Sequence, residues 1–65
     1  MTLEIWYVSS YNVYYLKNGK RIPLYFGLDR EGVRELIGEE NLKTLKANVL
    51  NYFEIDETGK VSNLT

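Results

Sequence analysis

Cysteine and histidine are both missing from these 65 residues. Without cysteine no disulfide can staple a small fold, and without either residue a zinc or other transition-metal site loses its usual ligands. The same absences remove the commonest positioned base and the most reactive nucleophile of covalent catalysis. Ser9 and Ser10 therefore read as turn residues. Glu31 with Glu35, and Glu39 with Glu40, read as a solvated acidic face. Acid–base work would need burial in a pocket that so short a chain can hardly enclose. Gly27, Gly32 and Gly38 fit neither a phosphate-cradling loop nor a dinucleotide fingerprint. The expectation is a protein that is not an enzyme and carries no cofactor and no metal.

Long apolar runs are also missing. No window reaches the roughly 20 apolar residues of a membrane span, and Met1 leads into Thr2 and Glu4 instead of a basic and then apolar leader. The reading is a cytoplasmic, intracellular protein without a membrane partner. Charge of one sign is scarce overall, with a net charge of −1. It is unevenly spread, since Lys17, Lys20 and Arg21 lie in the first half while Asp29, Glu31, Glu35, Glu39 and Glu40 follow close together. A mildly acidic chain is not what duplex-binding electrostatics select, so direct binding to nucleic acid is not expected.

What is abundant is ring surface. Aromatic residues make up 14% of the chain, and five of them fall between Ser9 and Gly27. "LEIWYV" reads as a strand, and "YNVYYLK" and "KRIPLYF" flank Asn18-Gly19, the strongest short-range hairpin signal. A two-residue turn there pairs Lys17 with Lys20, Tyr15 with Ile22, Val13 with Leu24 and Tyr11 with Phe26. That gives an uncharged core face from Tyr11 to Phe26. The opposite face pairs Leu16 with Arg21, Tyr14 with Pro23 and Asn12 with Tyr25. Pro23 marks the third strand as an edge, because its missing N–H points away from the second strand. A tight turn at Ser9-Ser10 would put Trp6 and Val8 on the core face and Leu3, Ile5 and Tyr7 on the outer one. Tyr7, Tyr14 and Tyr25 are then the rings expected at an interface, where tyrosine is a usual anchor.

After Gly27 the apolar period becomes helical. "LDREGVRELIG" offers Asp29 as N-cap, Val33, Leu36 and Ile37 on one side and Gly38 as the stop. "EENLKTLKANVLNYF" follows as a second helix with a stripe of Leu42, Leu45, Val49, Leu50 and Phe53. The end of the chain reads as a hairpin around Thr58-Gly59, or as a strand with a tail. Residues 1–65 are expected to form one small α+β domain, with a three-stranded antiparallel sheet made of two hairpins and two helices on one face.

A chain of about 60 residues hides only about 60% of the surface of its unfolded form, so a domain this small gains from a partner. The composition favours a non-catalytic protein-binding module that forms a homodimer. Two other readings exist. The rings could stack on single-stranded bases beside Lys17, Lys20 and Arg21. Alternatively, "VRELIGEENLKTLKANVLNY" parses as a helix-turn-helix regulatory module with Lys43, Lys46, Asn48 and Asn51 on its second helix.

The order of motifs also resembles a family. An opening strand, "SSYNV", a hairpin centred on "NGK", a third strand ending in "GL" and an amphipathic segment closed by Gly38 are similar to the short dimeric uracil-DNA glycosylase inhibitors encoded by phages. The similarity covers about residues 7 to 50. It implies a viral enzyme inhibitor acting in the host cell. Two paired chains would occupy the DNA-binding groove of a DNA-repair glycosylase, with acidic groups as phosphate mimics and an apolar plug. Carried over, the partner-binding residues are Glu31, Val33, Arg34, Glu35 and Ile37. Val33 is at the plug position, where the family has a larger ring. Arg34 stands where the family has an acid, and Ile37 where it has a tyrosine.

Overall fold

Asn18 and Gly19 both take positive φ, 51° and 75°. This is the type I′ geometry that joins antiparallel strands without splaying them. From this turn β2 (Tyr11–Lys17) and β3 (Lys20–Leu28) run in the expected register from Lys17–Lys20 as far as Tyr14–Pro23. Beyond Pro23 the expectation is corrected. Val13 faces Tyr25 instead of Leu24, and Tyr11 faces Leu28 instead of Phe26, because β3 bulges twice against β2. Phe26 is turned to the other side of the sheet, where its ring meets Tyr14 edge-on at 5.9 Å. The backbone N–H of Gly27 donates to Asn12 Oδ1 at 2.9 Å where the ladder is interrupted. The structure is a computed structural model that describes residues 1–64.

β1 (Thr2–Tyr7) pairs with β2 through Tyr7–Tyr11, so the loop between them has three residues, Val8, Ser9 and Ser10. The tight Ser9-Ser10 turn is therefore a second correction. Because side chains alternate along a strand, one extra loop residue exchanges the two faces of β1. Leu3 and Ile5 lie in the core, while Thr2, Glu4 and Trp6 share the opposite face with Tyr14 and Leu16.

The third correction concerns the second helix. α1 (Arg30–Ile37) starts and stops as read, with Asp29 accepting from the Gly32 N–H at 2.8 Å and Gly38 at φ 88° closing it. α2 spans only Glu39–Leu42, and the chain is extended again in β4 (Leu50–Ile55) and β5 (Val61–Asn63). The stripe from Leu42 to Phe53 has helical spacing, but "LNYFEI" is also a run of strand-forming residues, and the free edge of β1 gives it a ladder. Asn48, at φ 65°, makes the bend between the two. The Thr58-Gly59 hairpin is present, held by Asp56 Oδ1, which accepts from Thr58 N, Thr58 Oγ1 and Lys60 N.

The result is an α+β fold with a five-stranded antiparallel sheet of order β3-β2-β1-β4-β5. The sheet has two strands more than expected, and Pro23 does stand on an edge strand. The segment from α1 to β4 crosses one face, which we call the inner face. There Val33, Ile37 and Leu42 from the helices close over Leu3, Ile5, Tyr11, Val13 and Phe53. Gly32 leaves room within α1 for Leu28, whose Cδ1 would lie 2.6 Å from a Cβ at that position, so a larger residue there would have to displace the leucine tip. Glycine at that position costs the helix roughly 1 kcal/mol of propensity relative to alanine.

Candidate functional site

The uncovered outer face of the sheet carries the rings. The paired residues form cross-strand rows: Pro23, Tyr14, Glu4 and Tyr52 in one, and Arg21, Leu16, Thr2, Glu54 and Ser62 in the next. A third row holds Asn12, Trp6 and Leu50. An antiparallel sheet with one face in water normally makes that face polar. This one sets Tyr14, Trp6, Leu16, Leu50, Tyr52, Pro23 and Phe26 around the carboxylate of Glu4, with Glu54 in the neighbouring row.

Glu4 is only 3% exposed although no helix or loop lies over it. Its neighbours shelter it. Arg21 Nε approaches Glu4 Oε1 at 2.6 Å, off the line of an aligned hydrogen bond, so the contact is an ion pair. The guanidinium also lies over the Tyr14 ring, 5.1 Å from its centroid, a cation–π arrangement. On the other side Tyr52 donates its hydroxyl to the same carboxylate. That bond, with some desolvation, raises the Tyr52 pKa above its ordinary 10.0. A partner laid on this face would meet a charge already desolvated and paired, with Oε1 held by the ion pair alone. Leaving a charge unpaired in an interface is what usually makes covering it costly.

The residues expected to bind a partner are divided by the structure. Tyr14 is on the outer face, but Tyr7 is on the inner side, stacked on Tyr11 with ring centroids 4.2 Å apart. Tyr25 is exposed on β3 and, with Leu28, Gly32, Glu35 and Leu36, lines a shallow recess of about 300 Å³ beside α1. The three rings therefore do not share one surface. Val33 and Ile37 are core residues, so a molecule resting on α1 would not touch them, and Val33 cannot serve as a plug. Their burial follows from their helical spacing with Leu36, which aims them at the sheet.

Glu31, Arg34 and Glu35 do reach the surface of α1. Arg34 pairs with both Glu31 and Glu39, which raises its pKa and takes two carboxylates out of the acidic row. Glu40 lies 3.9 Å from Lys43. Glu35 makes no ion pair among the described residues.

The helix-turn-helix parse is overturned. Lys43, Lys46 and Asn48 lie outside any helix, and Asn51 is a buried residue of β4. Its amide donates to Ile5 O, Lys46 O and Val49 O and its carbonyl accepts from Lys46 N, which ties the crossover loop to the core.

Sequence reasoning missed Glu4, Arg21 and Tyr52 as a group. The lone acid in an apolar opening strand was the available signal. Among the described residues no group of three His, Cys, Asp or Glu could hold a metal ion, and no helix is long and apolar enough to cross a membrane. No known protein family, curated protein or solved structure matches this chain.

Proposed function

We propose that this chain is a non-catalytic protein-binding module whose docking surface is the outer face of the sheet. The carrying observation is the Glu4 carboxylate, 3% exposed and paired with Arg21 at the centre of an apolar face with no covering layer. Rings and arginine are the residue types that dominate binding hot spots. The face has little to offer a phosphate backbone, since Arg21 is already engaged by Glu4 and the N-terminal amine by Glu54.

The more specific form of the proposal is an inhibitor that occupies the DNA-binding groove of a uracil-DNA glycosylase. It is supported by the resemblance over residues 7 to 50 and by the exposed acids Glu31, Glu35, Glu39 and Glu40. It has no plug at Val33, and Arg34 weakens the mimicry of phosphate. Titrating the protein into a uracil-excision assay, with a mobility shift on the same DNA as control, tests both levels. Stoichiometric loss of excision without a shift is the expected result. Unchanged excision removes the glycosylase as target. A shift of bare duplex that weakens steeply with salt overturns the protein-binding reading itself.

A further inference from the structure

We propose that the recess beside α1 receives one arginine side chain from an exposed loop of another protein. This goes beyond the outer-face reading, because the recess lies where α1 meets the β3 edge. Tyr25, Leu28, Gly32, Glu35 and Leu36 line a volume of about 300 Å³. Pockets for small ligands run from about 300 to 1,000 Å³, so this one suits a single long side chain. Leu28 and Leu36, partly buried against the core, give it apolar walls, and Gly32 adds no side chain to it. Tyr25 is 48% exposed, which leaves its ring open to a partner.

Charge complementarity selects the occupant. Arg34 pairs with Glu31 and Glu39, and Lys43 lies near Glu40. Glu35 makes no ion pair among the described residues, so it is the carboxylate of α1 left for a cation from outside. The outer face shows what a tyrosine and a glutamate together can hold, since Arg21 lies over the Tyr14 ring and pairs with Glu4. Tyr25 and Glu35 bring the same two groups to the recess. A planar guanidinium can stack on a ring and meet a carboxylate at two points, which an ammonium cannot do. Its methylene stem would lie along Leu28 and Leu36. All three arginines of this chain are engaged elsewhere, Arg21 with Glu4, Arg30 with the Tyr11 hydroxyl and Arg34 with Glu31 and Glu39. The occupant therefore belongs to a different protein.

The test is a titration of the full chain, followed by amide and aromatic chemical shifts, with the peptide acetyl-Gly-Arg-Gly-amide and its citrulline and lysine counterparts. For the arginine peptide the expected Kd is on the order of 1 mM, as fits a single side chain, with shifts confined to Tyr25, Leu28, Gly32, Glu35 and Leu36. Glu35→Gln should raise that Kd by at least about 10-fold through loss of a charge-assisted contact. Tyr25→Leu should raise it less, and Glu57→Gln, on the distant β4-β5 hairpin, should leave it unchanged. Citrulline, uncharged but of the same shape, should bind as weakly as the arginine peptide binds Glu35→Gln.

Shifts that are absent at about 10 mM peptide, or centred outside the recess, overturn the proposal. Equal binding of the citrulline peptide overturns the role of charge, and equal binding of the lysine peptide overturns the choice of arginine. Should Tyr25→Leu lose the dispersed spectrum of a folded chain, Glu35→Gln decides the matter, and an unchanged Kd there overturns the site. None of these outcomes bears on the outer face, which the excision and mobility-shift assays test separately.

Discussion

Each face of the sheet buries one polar side chain, and it does so by a different means. On the inner face Asn51 is 2% exposed beneath the crossover, and all of its hydrogen bonds go to backbone. On the outer face Glu4 is 3% exposed with no layer above it, and its partners are side chains, Arg21 and Tyr52. The inner amide therefore does a structural job, fixing the loop that leads into β4. The outer carboxylate organises a surface, holding an arginine and two tyrosines in place. A buried group bonded to backbone belongs to the fold, whereas one held by neighbours on an open face makes that face ready to be covered.

The comparison breaks first where the inner face is emptied. Phe53 is fully buried among Leu3, Ile5, Val33 and Leu42, and Phe53→Ala should cost about 3–5 kcal/mol, read from urea unfolding. A loss below about 1 kcal/mol would mean that the helices do not close the core as described. Asn51→Ala comes next, at about 2–3 kcal/mol. It leaves the Lys46 N–H and carbonyls of the crossover without their partner. Hydrogen exchange at Lys46 should quicken in that variant, a local effect that Phe53→Ala would not single out.

On the outer face the two halves of one ion pair should differ. Arg21→Met leaves Glu4 buried and unpaired, and removing one partner of a buried pair typically costs about 3–5 kcal/mol. Arg21 is half exposed and Tyr52 still holds the carboxylate, so about 2 kcal/mol is expected here. Glu4→Gln leaves Arg21 orphaned, but its guanidinium already reaches water, so the loss should stay near 1 kcal/mol. Equal losses would show that Glu4 is not sheltered as described. Spectrophotometric titration sharpens the point, because the Tyr52 pKa should fall back toward 10.0 in Glu4→Gln.

The difference between the faces also marks what could be read from the sequence. The Asn18-Gly19 turn, the edge position of Pro23, the limits of α1 and the α+β class follow from local chemistry, and the structure repeats them. The outer site does not, because its membership depends on register. One additional loop residue, Val8, moves Trp6 out of the core face and Leu3 and Ile5 into it. The bulges in β3 then exchange Phe26 for Tyr25. Neither event leaves a periodic trace, since Ser9-Ser10 and Leu24 are compatible with both outcomes. The segment from Lys43 to Phe53 failed for another reason: its apolar spacing suits a helix, while its strand propensity and an unpaired β1 edge favour β4. Burial of Glu4 could be suspected from a lone acid between Leu3 and Ile5, but its partners come from β3 and β4, distant in sequence.

The smallest expected effect lies at the border of the outer face, where Glu54 accepts from the N-terminal amine and from Thr2 Oγ1. Those hydrogen bonds, the amine's first, hold the Glu54 carboxyl below its ordinary 4.5. A carboxylate with a lowered folded-state pKa contributes stability above its unfolded value and loses it as pH falls through the folded one. Melting temperature should therefore decline on acidification below pH 4.5. Asp56, lowered from 3.8 chiefly by the Thr58 hydroxyl, adds to the decline in the same direction. Acetylating the N-terminus removes the cation that Glu54 pairs with, so the modified chain should lose part of the acid-side slope and keep the part due to Asp56. If the slopes were identical, the amine would not be holding Glu54, and the loss of stability on the acid side would belong to Asp56 and the other carboxylates.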